Sequence, residues 1–207
     1  STGLLLQKGC HDIDNLHWIC HGSTIRVHAM GGLTLYHRIT DRHSEADRGD
    51  ATWRLENWPP LSQKGLNPIL NVEDVSMVHM LLDNGVLASY QQCHYTPDSW
   101  RNYTIIGTKG RIENFGDHGD HEIRIWNRRC DYNAEADQVI RFGSEAGGHG
   151  GADPKIVDEF IRHVRSDVKM TTSPIAARNA VATGFTATQS LRNGGIPLDV
   201  PPVASNL

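Results

Sequence analysis

Residues suited to proton transfer are concentrated near the beginning of the chain. His11 and Asp14 are three positions apart, which places both side chains on one face if the segment is helical. An imidazole titrates near neutral pH, so His11 could take or give a proton while Asp14 orients or charge-balances the ring. Trp18, one turn further along, could form an apolar wall. The spacing therefore suggests an acid–base site on a helix.

The same segment allows two other interpretations. His17 and His21, four positions apart, could share a metal ion with Asp14 or Cys10. On a helical wheel His17 points roughly 120° away from His11, which works against convergence of all these ligands. In the simplest interpretation, Asp12 and Asp14 favour the start of the helix, His21 favours its end, and His17 is partly buried. Spacing alone leaves all three open.

A glycine-rich segment, residues 147–153, precedes a predicted helix. Its glycines would let the backbone approach a ligand closely, and the following amides could hold an oxygen-rich group. His149 would then reach into the same pocket. The structural alternative is a flexible loop in which Asp153 only caps the helix.

Residues 94–103 mix aromatic, cationic and hydroxyl side chains where a predicted strand ends. His94 and Arg101 are the donors of interest, because rings and forked donors together suit a sugar or a carboxylate ligand. An ordinary bulge or packed corner would have a similar composition. Both interpretations remain open at this stage.

The predicted elements that would position these residues are mostly strands. Residues 11–20 form a helix that packs through Ile13, Leu16 and Cys20 and ends at Gly22. Asp83-Asn84-Gly85 predicts a hairpin, and Lys109-Gly110 a second one. Strands are predicted over residues 24–29, 33–39, 75–82, 86–94, 103–107, 111–114, 122–128 and 138–142.

Two helices close the chain, over residues 153–165 and 173–193, and both should cover a sheet face. Residues 40–71 form a long polar excursion that Trp53 and Trp58 could anchor. Short turns between strands, with helices at the two ends, predict an antiparallel-rich α+β fold. We expect one domain over residues 1–207.

Composition narrows the partners and the compartment. The net charge is −4, from 20 basic and 24 acidic side chains that are well mixed, so we expect neither nucleic acid nor membrane as a partner. The four widely spaced cysteines suit reduced thiols, and no targeting segment is visible, so we expect a cytoplasmic protein. No GxGxxG turn follows a strand, so we expect no dinucleotide site on this chain.

Several motifs, in order along nearly the whole chain, resemble the C-terminal domain of the Gfo/Idh/MocA oxidoreductases, which include glucose-fructose oxidoreductase and inositol dehydrogenase. The resemblance implies an open, mostly antiparallel mixed sheet with helices on one face, and a homo-oligomer formed through the other. The motifs are residues 8–14 with Trp18, residues 103–114, the His149 loop, and residues 173–195.

The resemblance further implies NAD or NADP as cofactor and a sugar, cyclitol or related compound as substrate, with His11 taking the hydroxyl proton as hydride departs. Dehydrogenases of the family carry an aspartate where this chain has Gln7. The chain starts just before the catalytic helix, so we expect the Rossmann domain to be missing and the isolated chain to be inactive. The alternative is a non-catalytic saccharide-binding or dimerisation module. Substrate-binding candidates are Gln7, Lys8, Asp14, His94, Arg101 and His149.

Overall fold

A computed structural model describes residues 2–47, 57–117, 119–143, 147–171 and 173–204. The contacts between these residues separate into two compact units. The first unit contains the described residues of Ser1–Pro97 and Thr172–Leu207, and the second those of Asp98–Thr171. Each unit has its own four-stranded antiparallel sheet.

The first unit contains a four-stranded sheet and two helices. Their bounds are β1 Thr24–Gly32, β2 Val75–Leu82, β3 Leu87–Cys93, β8 Leu198–Asp199, α1 Cys10–Cys20 and α3 Pro174–Arg192. The strand order in the sheet is β3-β2-β1-β8. Helices α1 and α3 and a single π-helical turn, Leu5–Gly9, pack together, and α3 lies against β1.

Alternation along the strands creates the core of the first unit. Val27, Val78 and Leu82 are at most 1% exposed, whereas their strand neighbour Met77 is 42% exposed. Each such buried aliphatic side chain contributes about 1.5–3 kcal/mol, so the alternation fixes which face of the sheet receives the helices. Ile13 of α1 is fully buried in this core, as its helical spacing predicts.

Helix α3 buries small polar residues because each hydroxyl finds a backbone partner. Thr183, Thr186 and Thr188 donate to carbonyls four residues earlier, all at 2.8 Å. Ser190 donates to the Ile196 carbonyl at 2.6 Å and accepts from the Ala29 amide at 3.0 Å, which ties α3 to β1. Small, satisfied side chains allow the helix to approach the sheet closely.

The second unit has the strand order β4-β5-β6-β7 and carries helix α2. Along its sheet, Arg111 lies over the Trp126 ring at 3.8 Å and Arg124 over the Phe115 ring at 4.1 Å. The bounds are β4 Thr104–Gly107, β5 Gly110–Phe115, β6 His121–Trp126, β7 Gln138–Phe142 and α2 Gly148–Ser166.

The predicted fold class is confirmed as α+β with open antiparallel sheets. Both hairpins form where the turn residues predict them, since β2 pairs with β3 across residues 83–86 and β4 with β5 across residues 108–109. The strands belong to two sheets rather than to one, and all pairings between the named strands are antiparallel.

The strand predicted over residues 33–39 is wrong. The Asp74 carboxylate accepts the backbone amides of Thr34, Leu35 and Tyr36 at 2.7–2.9 Å, so these amides are not available for a sheet ladder. The chain turns instead into a 3-10 helix, Tyr36–Arg38. A side chain distant in sequence thus decides the local structure.

Aliphatic side chains and one cation hold the described part of the excursion after Thr40. Ile39 and Leu66 are buried, and the Arg42 guanidinium donates to the Ile39 and Tyr36 carbonyls at 3.0 and 3.1 Å. Of the two tryptophans predicted to anchor this segment, Trp58 is 41% exposed, and Trp53 lies outside the described residues.

Helix α2 does not cover a sheet face as predicted. Its apolar stripe is 39–67% exposed, whereas the predicted covering role of α3 is confirmed. The stripe comprises Ile156, Val157, Phe160, Ile161 and Val164. Among the described helices, none is long and apolar enough to cross a membrane.

Candidate functional site

The helix that carries His11 starts earlier than the sequence predicts. The π-helical turn Leu5–Gly9 runs directly into α1, so His11 lies within continuous helical backbone rather than at an open helix start. At the other end, His21 adopts the left-handed conformation (φ 51°), a role expected of glycine. Gly22 is needed for a different reason, because a Cβ there would lie 2.6 Å from the Asn84 side chain.

Two contacts fix the beginning of α1 on β3. The Tyr90 hydroxyl donates to the Asp12 carboxylate at 2.9 Å. Gly9 lies so close to the sheet that an added Cβ would be 3.2 Å from the Tyr90 ring and 3.5 Å from Gln92 Oε1. The helix is therefore held against the sheet by a charge-assisted hydrogen bond and by a glycine that permits close approach.

His11 lies on the outward side of this fixed helix. Its side chain is exposed, as are those of Gln7 one turn earlier and Lys8 three residues earlier. Asp14 is half-buried and Trp18 is 77% exposed. The structure thus confirms the predicted division of α1 into a packing face and an open face, with an imidazole, an amide and an ammonium together on a rigid support.

His94 is brought to the same end of the sheet by its position directly after β3. Its amide donates to the Asp74 carbonyl at 2.9 Å, and its carbonyl accepts from the Tyr36 hydroxyl at 2.7 Å. Its ring nitrogen Nε2 lies 2.7 Å from Gln92 Nε2. Burial lowers the pKa of His94, and the nearby Asp74 charge only partly opposes that shift.

Asp74 organises this corner without facing solvent. It is 2% exposed, and its carboxylate accepts four hydrogen bonds from residues 34–36. Desolvation by itself would raise the pKa of Asp74, but the hydrogen bonds from Thr34, Tyr36 and Leu35 outweigh it and hold the pKa below its usual range. A charged Asp74 therefore stabilises the turn on which the His94 backbone rests.

His17 has a structural position rather than an open one. Its side chain is 7% exposed, and its Nε2 accepts from the Thr24 amide at 3.1 Å and lies 2.7 Å from the Thr24 hydroxyl. Because Nε2 accepts the amide proton, the ring proton is assigned to Nδ1. Burial lowers the pKa of His17. The ring therefore joins α1 to β1 and does not face His11.

The metal interpretation of this segment lacks a matching geometry. Within the ranges that the structure describes, no group of three His, Cys, Asp or Glu side chains is placed to hold a metal ion. His21 is exposed at the helix end, whereas the ring of His17 is directed at Thr24. The four cysteines are free thiols.

Two predicted pocket residues belong to the second unit. Arg101 is exposed and lies 3.4 Å from the Asp117 carboxylate. His149 is also exposed, and its Nδ1 contacts the Asp153 carboxylate at 2.8 Å. His149 has a left-handed backbone (φ 50°), and the two glycines that follow share this conformation before regular helix begins. Their role in substrate binding remains a prediction.

The first unit therefore brings together much of the predicted set, and it adds residues that the sequence did not single out. Gln7, Lys8, His11 and Asp14 lie on one helical segment, with the Gln92–His94 pair at the adjoining strand end. Tyr90, Gln92 and Asp74 were missed, because their roles depend on strand register and on a turn 40 residues away in sequence. In β3, Tyr90 and Gln92 alternate with outward-facing residues, and such alternation indicates only that they are at least partly buried.

The fold and this site define an α+β domain in which a helix with an exposed polar face is fixed on an antiparallel sheet. The chain matches the model described as "Oxidoreductase family, C-terminal alpha/beta domain" over residues 1–200 and belongs to that family.

Known relatives agree with this assignment. YteT of Bacillus subtilis (strain 168), a protein assigned to the oxidoreductases, is 25% identical over 199 residues, covering 77% of this chain and 46% of YteT. Among solved structures, levoglucosan dehydrogenase in complex with NADH and levoglucosan superposes with a TM-score of 0.64 at 15% identity, over 94% of this chain and 49% of that one.

A second structural neighbour is myo-inositol 2-dehydrogenase from Lactobacillus plantarum. Its TM-score is 0.59 at 15% identity, and the match covers 96% of this chain and 49% of that one. At these identities the structural matches show a shared fold. This chain spans about half the length of the relatives it matches.

Proposed function

We propose that this chain supplies the substrate-binding and proton-transferring half of an NAD(P)-dependent oxidoreductase that acts on a hydroxyl group of a sugar, cyclitol or related compound. The observation that carries the proposal is the exposed His11 on a helix that the Asp12–Tyr90 hydrogen bond fixes to the sheet. A general base needs both access to substrate and a fixed position, and His11 combines them.

Oxidation of an alcohol removes a hydride from carbon and a proton from oxygen. The nicotinamide would accept the hydride. His11 would accept the hydroxyl proton as the hydride leaves, so that a neutral carbonyl forms rather than a protonated, cationic one. Lys8, exposed three residues earlier, would supply positive charge beside the oxygen as negative charge develops. Gln7 and Asp14 would bind the remaining hydroxyls, with His94, Arg101 and His149 as further substrate contacts.

The cofactor itself would be bound elsewhere. This sequence contains no glycine-rich turn of the dinucleotide-binding type, so its residues do not fit a nicotinamide dinucleotide site. NAD or NADP would be held by a separate Rossmann domain, and the 207 residues alone would be inactive. Named relatives that bind NADH or act on levoglucosan, inositol and aldoses support the choice of cofactor and substrate class.

The outer face of the first sheet supports the expected homo-oligomer. Met30 and Met77 are directly paired across β1 and β2 and are 55% and 42% exposed, and Leu87 of β3 is 81% exposed. His79 and Ser89, both exposed, lie between the methionine pair and Leu87 on this face, which is therefore a mixed apolar and polar surface, as many subunit interfaces are. A second copy of the same face would cover it.

Turnover in a form that joins these residues to a dinucleotide-binding domain tests the proposal. Reduction of NAD or NADP by a panel of sugars and cyclitols would be followed by absorbance. His11→Ala should lower kcat by roughly 10²–10⁴ with cofactor affinity unchanged, as loss of a general base does. Asn15→Ala, an exposed change on the same helix, is the matched control. Undiminished turnover in His11→Ala would remove His11 from the reaction.

Gln7 supports a second candidate, a non-catalytic saccharide-binding or dimerisation module. An amide cannot ionise, so it cannot reproduce the charge of the aspartate that resembling dehydrogenases carry at this position. This candidate predicts binding of a sugar or cyclitol with no cofactor reduction, even in the joined form. The Gln7→Asp variant of the joined form tests this candidate further. Turnover by the variant, where the form with Gln7 shows none, would mean that one residue disables an otherwise complete catalytic site.

A further inference from the structure

Gln92 and His94 form a pair whose geometry has a chemical consequence. Both are on or directly after β3, and their Nε2 atoms are 2.7 Å apart. Two nitrogens at this distance share one hydrogen, so one of them must be an acceptor. With the Gln92 amide nitrogen facing the ring, Gln92 is the donor and His94 Nε2 the acceptor, which assigns the proton of the neutral ring to Nδ1.

Gln92 is itself held in place. It is 8% exposed, and its Oε1 faces Gly9, where an added Cβ would be only 3.5 Å away. Among the described residues, Oε1 has no hydrogen-bond partner. The alternative placement rotates the amide by half a turn, so that Oε1 accepts a proton from Nε2 of His94. Each amide orientation thus corresponds to a different location of the ring proton.

Hydrogen bonds hold the backbone of His94 at both its amide and its carbonyl. Its amide is bound to the Asp74 carbonyl and its carbonyl to the Tyr36 hydroxyl, at 2.9 and 2.7 Å. Asp74 is fixed in turn by four hydrogen bonds from residues 34–36. With the backbone held on both sides, the Gln92 side chain is the polar group that contacts the ring at Nε2.

We propose that Gln92 is a positioning residue that sets the tautomer of His94, keeping Nε2 as an acceptor toward Gln92 and Nδ1–H as the donor available to a substrate. The inference rests on the proposed function only in giving Nδ1–H a substrate oxygen to bind. The tautomer itself is a property of this chain alone.

The test is nitrogen-15 NMR of the histidine rings in the 207-residue chain, at about pH 8 where a histidine is neutral. The expected spectrum shows His94 protonated on Nδ1. In Gln92→Glu, a carboxylate of nearly the same shape can only accept, so the proton should move to Nε2 and the pKa of His94 should rise. Gln92→Leu keeps the volume and should remove the preference.

Gln91→Ala is the matched control, because Gln91 is exposed on the opposite face of the same strand. It should leave the His94 signals unchanged. Protonation of His94 on Nε2 in the unmodified chain would overturn the proposal, and so would an unchanged tautomer in Gln92→Glu. Neither result depends on turnover, so failure of the proposed function would leave this test intact.

Discussion

His11 and His17 lie on the same helix but face different surroundings, and this difference separates chemistry from stability. His11 is exposed, whereas His17 is 7% exposed and accepts a hydrogen bond from the Thr24 amide. Removing His17 would leave that buried amide without its partner, which is the costly kind of loss. Among the residues that the structure describes, no buried group has the exposed His11 side chain as its partner.

The first prediction concerns His17→Ala. We expect its free energy of unfolding to fall by about 1–3 kcal/mol at neutral pH, measured by urea denaturation. His11→Ala is the control and should stay within about 0.5 kcal/mol of the original chain, as surface changes usually do. Equal losses in the two variants would show that the His17–Thr24 contact contributes nothing specific.

The same contact predicts a pH dependence. Burial lowers the pKa of folded His17 below its ordinary value, so the unfolded chain binds the proton more readily. The contribution of neutral His17 to the free energy of unfolding is therefore fully present above about pH 6.5. It declines as the pH falls from there towards the lowered pKa. Burial also lowers the pKa of His94, so this residue adds to the decline. His17→Ala should show a shallower decline between about pH 7.5 and 5.5; an identical slope would contradict the assignment.

Sequence periodicity was sufficient to separate the two faces of α1, because helical geometry alone sets the directions of His11, Ile13 and His17. It could not identify Gln92 or Tyr90 as partners of that helix. Those contacts depend on how β3 is registered against β2 and on how closely Gly9 approaches the sheet. The second is set by packing of α1 on β3, whose contacting residues Asp12 and Tyr90 are 78 residues apart in sequence.

The π-helical turn Leu5–Gly9 carries Gln7 and Lys8, and helix α3 determines where it lies. Gly184 of α3 is buried, and an added Cβ would lie 2.6 Å from the Leu5 carbonyl oxygen. The obstructing atom belongs to the backbone, so it cannot move aside as a flexible side chain could. The position of the site thus depends on a glycine in a helix that contributes no predicted site residue.

We therefore predict that Gly184→Ala destabilises the chain. Overpacking costs about 1–3 kcal/mol, and the better helix propensity of alanine recovers at most about 1 kcal/mol. The net loss should appear in urea denaturation. Gln189→Ala, exposed on the same helix, should have little effect. An increase in stability for Gly184→Ala would mean that α3 and the turn are less closely packed than the structure shows.

Strands with clear alternation or turn signals were predictable, as β2 and the hairpin after it illustrate. The segment after Gly32 was not, since its β-like composition is overridden when Asp74 captures three consecutive amides. Helix α2 shows the opposite case. Its apolar stripe correctly predicts a helix, but a stripe does not specify which surface it meets, and in this structure it is exposed.

The molecule as a whole spans about half the length of the relatives it matches, and its family is defined by a C-terminal domain. An oxidoreductase divided in this way separates two tasks. One domain binds the cofactor, and the other presents substrate and an acid–base group to it. Under the proposed function this chain would perform the second task, with the exposed polar face of α1 presenting the acid–base group.

Calorimetric titration with NADH and NADPH tests this division most directly, using the 207-residue chain and a form joined to a dinucleotide-binding domain. The account predicts that only the joined form binds cofactor. It also predicts that His11→Ala lowers the affinity of the joined form for its sugar or cyclitol substrate far less than it lowers turnover. Tight cofactor binding by the 207-residue chain alone would contradict the account, because the cofactor site would then lie among residues assigned here to substrate.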